Sequence, residues 1–173
     1  KEMIDVLNQI RALREEIREK RGSVDFESVE TRVVLDENNK PVGVSVRERT
    51  QATGLIEEAM LAANESVAHM LSQHDLESAY RVHEQPSPES LKLAVTPLVA
   101  MGALEPGVAS RIAIGDQTAL QEALESVHGT RYSRVVNAQL LRAQKRAIYL
   151  PTNQGHFALG ADAYCHFTSP IRR

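Results

Sequence analysis

The sequence predicts a helix-rich α+β fold, a β-hairpin and short strands packed by several helices. Two observations carry this. Most of the chain places apolar residues at helical spacing, and the few stretches that alternate with period two are short. A third sets the organisation: residues 1–173 hold no repeat, no low-complexity run and no internal linker, so they read as one domain. A chain of 173 residues is long enough to bury a real core.

Residues 2–20 form the first expected helix, with Met3, Val6, Leu7, Ile10, Leu13 and Ile17 on one stripe and charges between them. The pattern is too short for a coiled coil, and Gly22 is placed to end it. Thr31–Leu35 and Val42–Arg47 are expected to pair as a hairpin around the turn Asp36–Pro41. Residues 52–74 are the longest expected helix. Its apolar stripe is Ile56, Met60, Ala63, Val67, Met70 and Leu71. At roughly 100° per residue, Glu58, Glu65 and His69 fall opposite that stripe, on the expected solvent side. Glu57 and Asn64 lie together at its margin, where they cap the core or line a cleft.

Ser78–Glu84 reads as a short strand. Ser87-Pro88 opens a helix whose Leu91, Val95 and Leu98 face inward. Pro106 and Asp116 start two more short helices, the second ending near Gly129. Residues 131–147 are expected to form a basic helix. Tyr132, Val136, Leu140, Ala143 and Ala147 make its apolar face, and Arg131, Arg134, Arg142, Lys145 and Arg146 lie opposite. Residues 156–167 are expected to be partly extended. Ser169-Pro170 then reads as the start of a helix, with serine as cap and proline as first residue. Arg172 and Arg173 follow on that first turn. A helix opened and cut off, together with a first residue that is lysine, suggests a fragment.

Apolar residues at 42% and charged residues at 25% are those of an ordinary globular chain. No apolar run approaches a membrane span, and no signal peptide is visible. Cys165 stands alone, which excludes an internal disulfide or a thiolate-rich zinc site and fits a reducing compartment; it reads as a small buried hydrophobe. Charge is unevenly spread: residues 1–125 hold 13 Lys and Arg against 22 Asp and Glu, and residues 126–173 hold seven against one. A basic helix face without interleaved acids either tracks a phosphate backbone or is simply solvated.

The six histidines show no metal spacing, and His156 and His166 read as hydrogen-bonded structural residues. There is no H-E-x-x-H, Walker loop, G-x-G-x-x-G or G-x-S-x-G, and no aspartate cluster able to hold a pair of magnesium ions. Tyr132, Tyr164 and Phe167 have the chemistry to stack on bases, but core packing is the default for each.

The string "YCHFTSPIRR" closely resembles a signature of the ribonuclease II/ribonuclease R (RNB) family of exoribonucleases. "GSVDFESVETRVVLDENNKPVGV", "LIEEAMLAANESVA", "YRVHEQPSPESL" and "GHFALGADAYCHFTSPIRR" resemble the same family in the same order, over nearly the whole chain. The wording of "HFTSPIRR" is nearer the ribonuclease R branch. The resemblance implies processive hydrolysis of single-stranded RNA from its 3′ end to nucleoside 5′-monophosphates, in the cytoplasm and away from membranes. It implies a Mg2+-dependent parent enzyme whose metal ligands lie upstream of Lys1, so that the chain alone is expected to be inactive. The rest of the catalytic domain and OB-type RNA-binding domains are the expected partners.

By the same resemblance, Arg172 matches the arginine that meets the scissile phosphate, and Glu57 matches a residue that contacts the terminal nucleotides. Arg173, Arg142, Lys145 and Arg146 are further expected RNA contacts. Two alternatives stand beside the enzyme reading. One is a non-catalytic RNA-binding relative. The other is a helical interaction module that uses the Met3–Ile17 stripe.

Overall fold

The computed structural model describes residues 2–26, 31–46 and 50–169. Among these, six helices and four short strands follow one another: α1 (Glu2–Arg21), β1 (Thr31–Leu35), β2 (Pro41–Val46), α2 (Gln51–Gln73), β3 (Tyr80–Val82), α3 (Pro88–Ala100), α4 (Pro106–Ala113), α5 (Gln117–Ser126), α6 (Ser133–Ala143) and β4 (Ile148–Leu150). A 3-10 turn covers Phe157–Leu159. The helix-rich α+β expectation holds, with two small antiparallel sheets, β1–β2 and β3–β4.

Local chemistry sets most boundaries. Gly22, at φ +93°, ends α1 in a conformation that side chains resist. Thr50 caps α2 by accepting from the Thr53 N–H at 3.2 Å, and Ser87 caps α3 by accepting from the Ser90 N–H at 3.2 Å. Asp116 does the same for α5 through the Ala119 N–H at 3.1 Å. In the hairpin turn, Asp36 accepts from the N–H groups of Asn38 and Lys40 at 2.8 and 2.9 Å.

The largest core lies among α3–α6, where Leu91, Val95, Leu98, Ile112, Leu120, Val136 and Leu140 are buried together. A smaller cluster joins α2 to the β3–β4 sheet through Ala68, Tyr80, Val82, Ala163 and Cys165. Cys165 is buried as expected, and burial pushes its thiol pKa up. Close backbone approach ties the end of α1 to the 3-10 turn. Val24 N–H donates to the Ala158 carbonyl at 2.8 Å, and a Cβ on Gly160 would meet the Arg21 carbonyl oxygen at 2.7 Å.

Three expectations are corrected. The expected strand Ser78–Glu84 shrinks to Tyr80–Val82, which pairs with the three residues of β4; beyond it the segment makes only isolated bridges, Tyr80 to Cys165 and His83 to His156. The basic helix stops at Ala143: Gln144 adopts an extended backbone, and the chain then turns to pair with β3. Arg131 therefore precedes the helix, and Lys145 and Arg146 follow it, so the five cations do not share one helical face. The stripe assigned to α2 is not its buried face. Ile56 and Met70 are more than half exposed, whereas Gly54, Glu58, Leu61, Asn64 and Ala68 point inward. The Met3–Ile17 stripe of α1 is exposed, at 39–74% per residue, and so is not part of the core.

Candidate functional site

The orientation of α1 is set electrostatically. Arg14, Arg18 and Arg21 lie on its inward face, against Glu58 and Glu65 of α2. Arg18 donates from Nε to Glu58 Oε1 at 2.9 Å and to Ser23 Oγ from Nη1 at 2.8 Å. Its Nη2 stands 2.8 Å from Glu58 Oε1 and 3.5 Å from Asp25. Burial works against the charge, but Asp25 and Glu58 outweigh it and raise the Arg18 pKa. Arg21 grips Glu65 with two bonds, at 3.1 and 2.8 Å. Arg14 sits 3.5 Å from Glu65 and 3.9 Å from Glu58. Glu58, expected in solvent, is thus 1% exposed and closes a buried ion pair. No pattern local to either helix announces this docking, because the partners lie 40 and 44 residues apart in the sequence.

Glu57, one residue earlier, is half-buried. Asn64, two turns further along α2, is fully buried. Its amide joins two segments near the end of the chain. Nδ2 donates to the Tyr164 hydroxyl at 3.1 Å, while Oδ1 accepts from the Thr168 N–H at 2.8 Å and from its hydroxyl at 3.0 Å. Only an amide offers donor and acceptor on one planar group here. Cys165 Sγ donates to the Asn64 carbonyl at 3.6 Å, adding a third link.

A row of rings borders this joint. His83 and His156 have centroids 5.1 Å apart, His156 and Tyr164 5.4 Å, and Tyr164 and His166 5.6 Å. The Tyr149 hydroxyl bonds His166 Nδ1 at 2.6 Å, and Arg81 lies 4.8 Å from the Tyr149 ring centre. Burial, reinforced by His83 and Arg81, lowers the His156 pKa to about 3. His83 is lowered by burial as well. Its Nδ1 accepts from the Ala158 N–H at 3.1 Å, so Nε2 carries the proton and donates to the Lys145 carbonyl at 2.7 Å. His156 and His166 are thus hydrogen-bonded, as expected, and His156 is neutral at ordinary pH.

Arg142 and Arg146 are exposed. Lys145 is exposed too but forms an ion pair with Glu84, which holds the Glu84 pKa down. Arg172 and Arg173 lie outside the described residues. Among the described residues, no three His, Cys, Asp or Glu side chains converge on a metal position. These described residues do not fit the metal that an RNB resemblance implies. No helix among the described residues is long and apolar enough to cross a membrane.

The sequence profile of the RNB domain matches residues 1–173. Ribonuclease R of Thermotoga maritima is 44% identical over 159 residues, covering 91% of this chain and 22% of that protein. Ribonuclease R 1 of Lactococcus lactis is 35% identical over 170 residues, covering 98% of this chain and 20% of that protein. The chain therefore spans about a fifth of the length of these relatives. The apo form of Mycoplasma genitalium RNase R superposes with a TM-score of 0.86 at 29% identity, over 98% of this chain and 26% of that one. The same enzyme in complex with ribose-methylated single-stranded RNA also gives a TM-score of 0.86, at 28% identity and the same coverage. A domain profile matched along the full length, homologous ribonucleases R and a shared backbone agree: this chain belongs to the RNB domain family.

Proposed function

We propose that this chain is part of a larger exoribonuclease, the latter part of a catalytic domain that shortens single-stranded RNA processively from its 3′ end to nucleoside 5′-monophosphates. The observation that carries the reading is the full-length match to the RNB domain, with RNA-bound RNase R among its structural neighbours. The parent works in the cytoplasm with Mg2+, held by residues other than those described here. The metal supplies Lewis-acid activation when bound. This chain supplies groups for the RNA. Arg172 meets the scissile phosphate with its planar fork, Glu57 meets the terminal nucleotides, and Arg173, Arg142 and Arg146 contact the strand further out. Lys145 belongs with them only when Glu84 releases it.

The exposed Met3–Ile17 stripe and the outward valines of the hairpin, Val33, Val42, Val44 and Val46, are assigned to contact with the rest of the catalytic domain. OB-type RNA-binding domains complete the protein. The test uses the full-length protein carrying this segment and a 5′-labelled single-stranded RNA. Stepwise shortening from the 3′ end, stopped by EDTA and restored by Mg2+, is the expected result, with no shortening by the 173-residue chain alone. A full-length protein that binds the RNA tightly but leaves its length unchanged would establish the non-catalytic RNA-binding relative instead.

A further inference from the structure

We infer that Tyr149 is a stacking platform for a base of single-stranded RNA, backed by Arg81 and set beside the phosphate contacts of the preceding segment. This rests on the exoribonuclease reading given above. Tyr149 stands in β4 directly opposite Arg81 of β3. The Arg81 guanidinium lies over its ring, 4.8 Å from the centre, and holds it by cation–π attraction. The hydroxyl is bonded to His166 Nδ1 at 2.6 Å, and the His166 ring meets the tyrosine edge-on with centroids 5.6 Å apart. The ring is thus fixed at its tip and on one face, yet the residue is 52% exposed. An aromatic plane held in advance and still open to solvent suits base stacking, because little side-chain freedom is left to lose on binding.

The surroundings favour RNA over a protein partner. Arg146 is exposed three residues before Tyr149, at most about 11 Å away along the chain. Arg142 is exposed in the last turn of α6, and Arg81 adds a third cation. The cores of protein interfaces are depleted in charge, whereas single-strand grooves set cations for the backbone beside aromatics for the bases. Three other aromatics are placed differently. Tyr164 is buried with its hydroxyl bonded by Asn64, and Tyr132 packs against the α3–α6 core. Phe167 is exposed but lies in an irregular segment, outside either sheet. Stacking does not read base identity, so such a platform serves an enzyme that works along a strand of any sequence.

The experiment measures the affinity of the full-length protein for a 5′-labelled oligo(A), with EDTA present to prevent shortening, and for a strand of the same length that lacks its bases. Tyr149→Ala is expected to weaken oligo(A) binding by roughly 5- to 100-fold, the effect of one lost base stack. On the abasic strand, parent and variant should differ by less than about twofold, since only backbone contacts remain there. The slope of log affinity against log salt should be the same for both proteins, because no phosphate contact is removed. Tyr149→Trp should bind oligo(A) as the parent does. Tyr149→Leu keeps an apolar side chain in β4 and covers the case in which Tyr149→Ala does not fold; it should bind oligo(A) as weakly as Tyr149→Ala. Equal losses on the two strands, or parental affinity of Tyr149→Leu for oligo(A), would overturn the platform while leaving the exoribonuclease reading in place. A parental protein that neither binds nor, with Mg2+, shortens oligo(A) would instead overturn that reading and this inference with it.

Discussion

Neighbouring glutamates on α2 have opposite fates, and the difference is physical. Glu58 is buried on Arg18, while Glu57 is half-buried on another side of the same turn. Truncating one member of a buried pair strands the other charge in a poor solvent. Glu58→Ala is therefore expected to destabilise the fold by about 3–5 kcal/mol, because Arg18 loses its closest acceptor. Glu57→Ala is expected to cost less than about 1 kcal/mol of stability and to impair turnover at equal folded fraction. Thermal melts of the two variants, followed by rate measurements on the folded fraction, check both. Equal destabilisation would contradict the arrangement of α2. The helical wheel set Glu57 at the buried margin and Glu58 in solvent, the reverse of their burial. It was referenced to an apolar stripe, and α2 turns a mixed face of Gly54, Glu58, Leu61, Asn64 and Ala68 inward.

At the scale of elements, the same lesson recurs in α1 and α6. Apolar periodicity reports which residues share a face; it does not report which face meets the core. In α1 the arginine face meets acids on α2, and the apolar face is left outward. In α6 the helical pattern ran past the true end: Gln144 is already extended, and the chain goes on to pair residues 148–150 with β3. The RNA-contact prediction changes accordingly. Lys145 is engaged by Glu84, so Arg142 and Arg146 carry the electrostatic contact. Neutralising both arginines in the full-length protein is expected to reduce the slope of log affinity against log salt by up to about 1.4, on single-strand counterion release of roughly 0.7 per contact. Lys145→Gln should change the slope by less than either arginine. Salt titrations of RNA binding test this, and an unchanged slope in the double variant would remove this segment from the RNA path.

For the whole molecule, the buried ring row makes stability depend on pH. The His156 pKa is lowered to about 3 in the fold, by burial and then by His83 and Arg81, against an ordinary value near 6.5 once unfolded. Between those values the unfolded chain binds a proton that the folded chain refuses, so stability falls as pH falls, and the neutral ring carries no penalty above that range. The slope is at most about 1.4 kcal/mol per pH unit for this histidine. His156→Asn, which keeps an acceptor near Nδ1 and does not titrate, should lose less stability than the parent between pH 6.5 and 4. Denaturant melts at several pH values compare the two, and parallel losses would exclude His156 as a source of the acid sensitivity.

The sequence by itself determined the local part of this protein. Caps at Ser87 and Asp116, the turn at Asp36, the stop at Gly22 and the inward Leu91, Val95 and Leu98 all rest on contacts within a few residues, which periodicity and turn chemistry encode directly. The RNB family was legible too, because its motifs are strings. Tertiary structure alone decided what depends on distant partners. Arg18 orients α1 because Glu58 waits 40 residues away, and Asn64 becomes a joint because Thr168 arrives 104 residues later. Such pairings leave no period in the sequence, since a buried charge or amide is stable only where its partner's geometry is met, and that geometry exists only once the chain has folded.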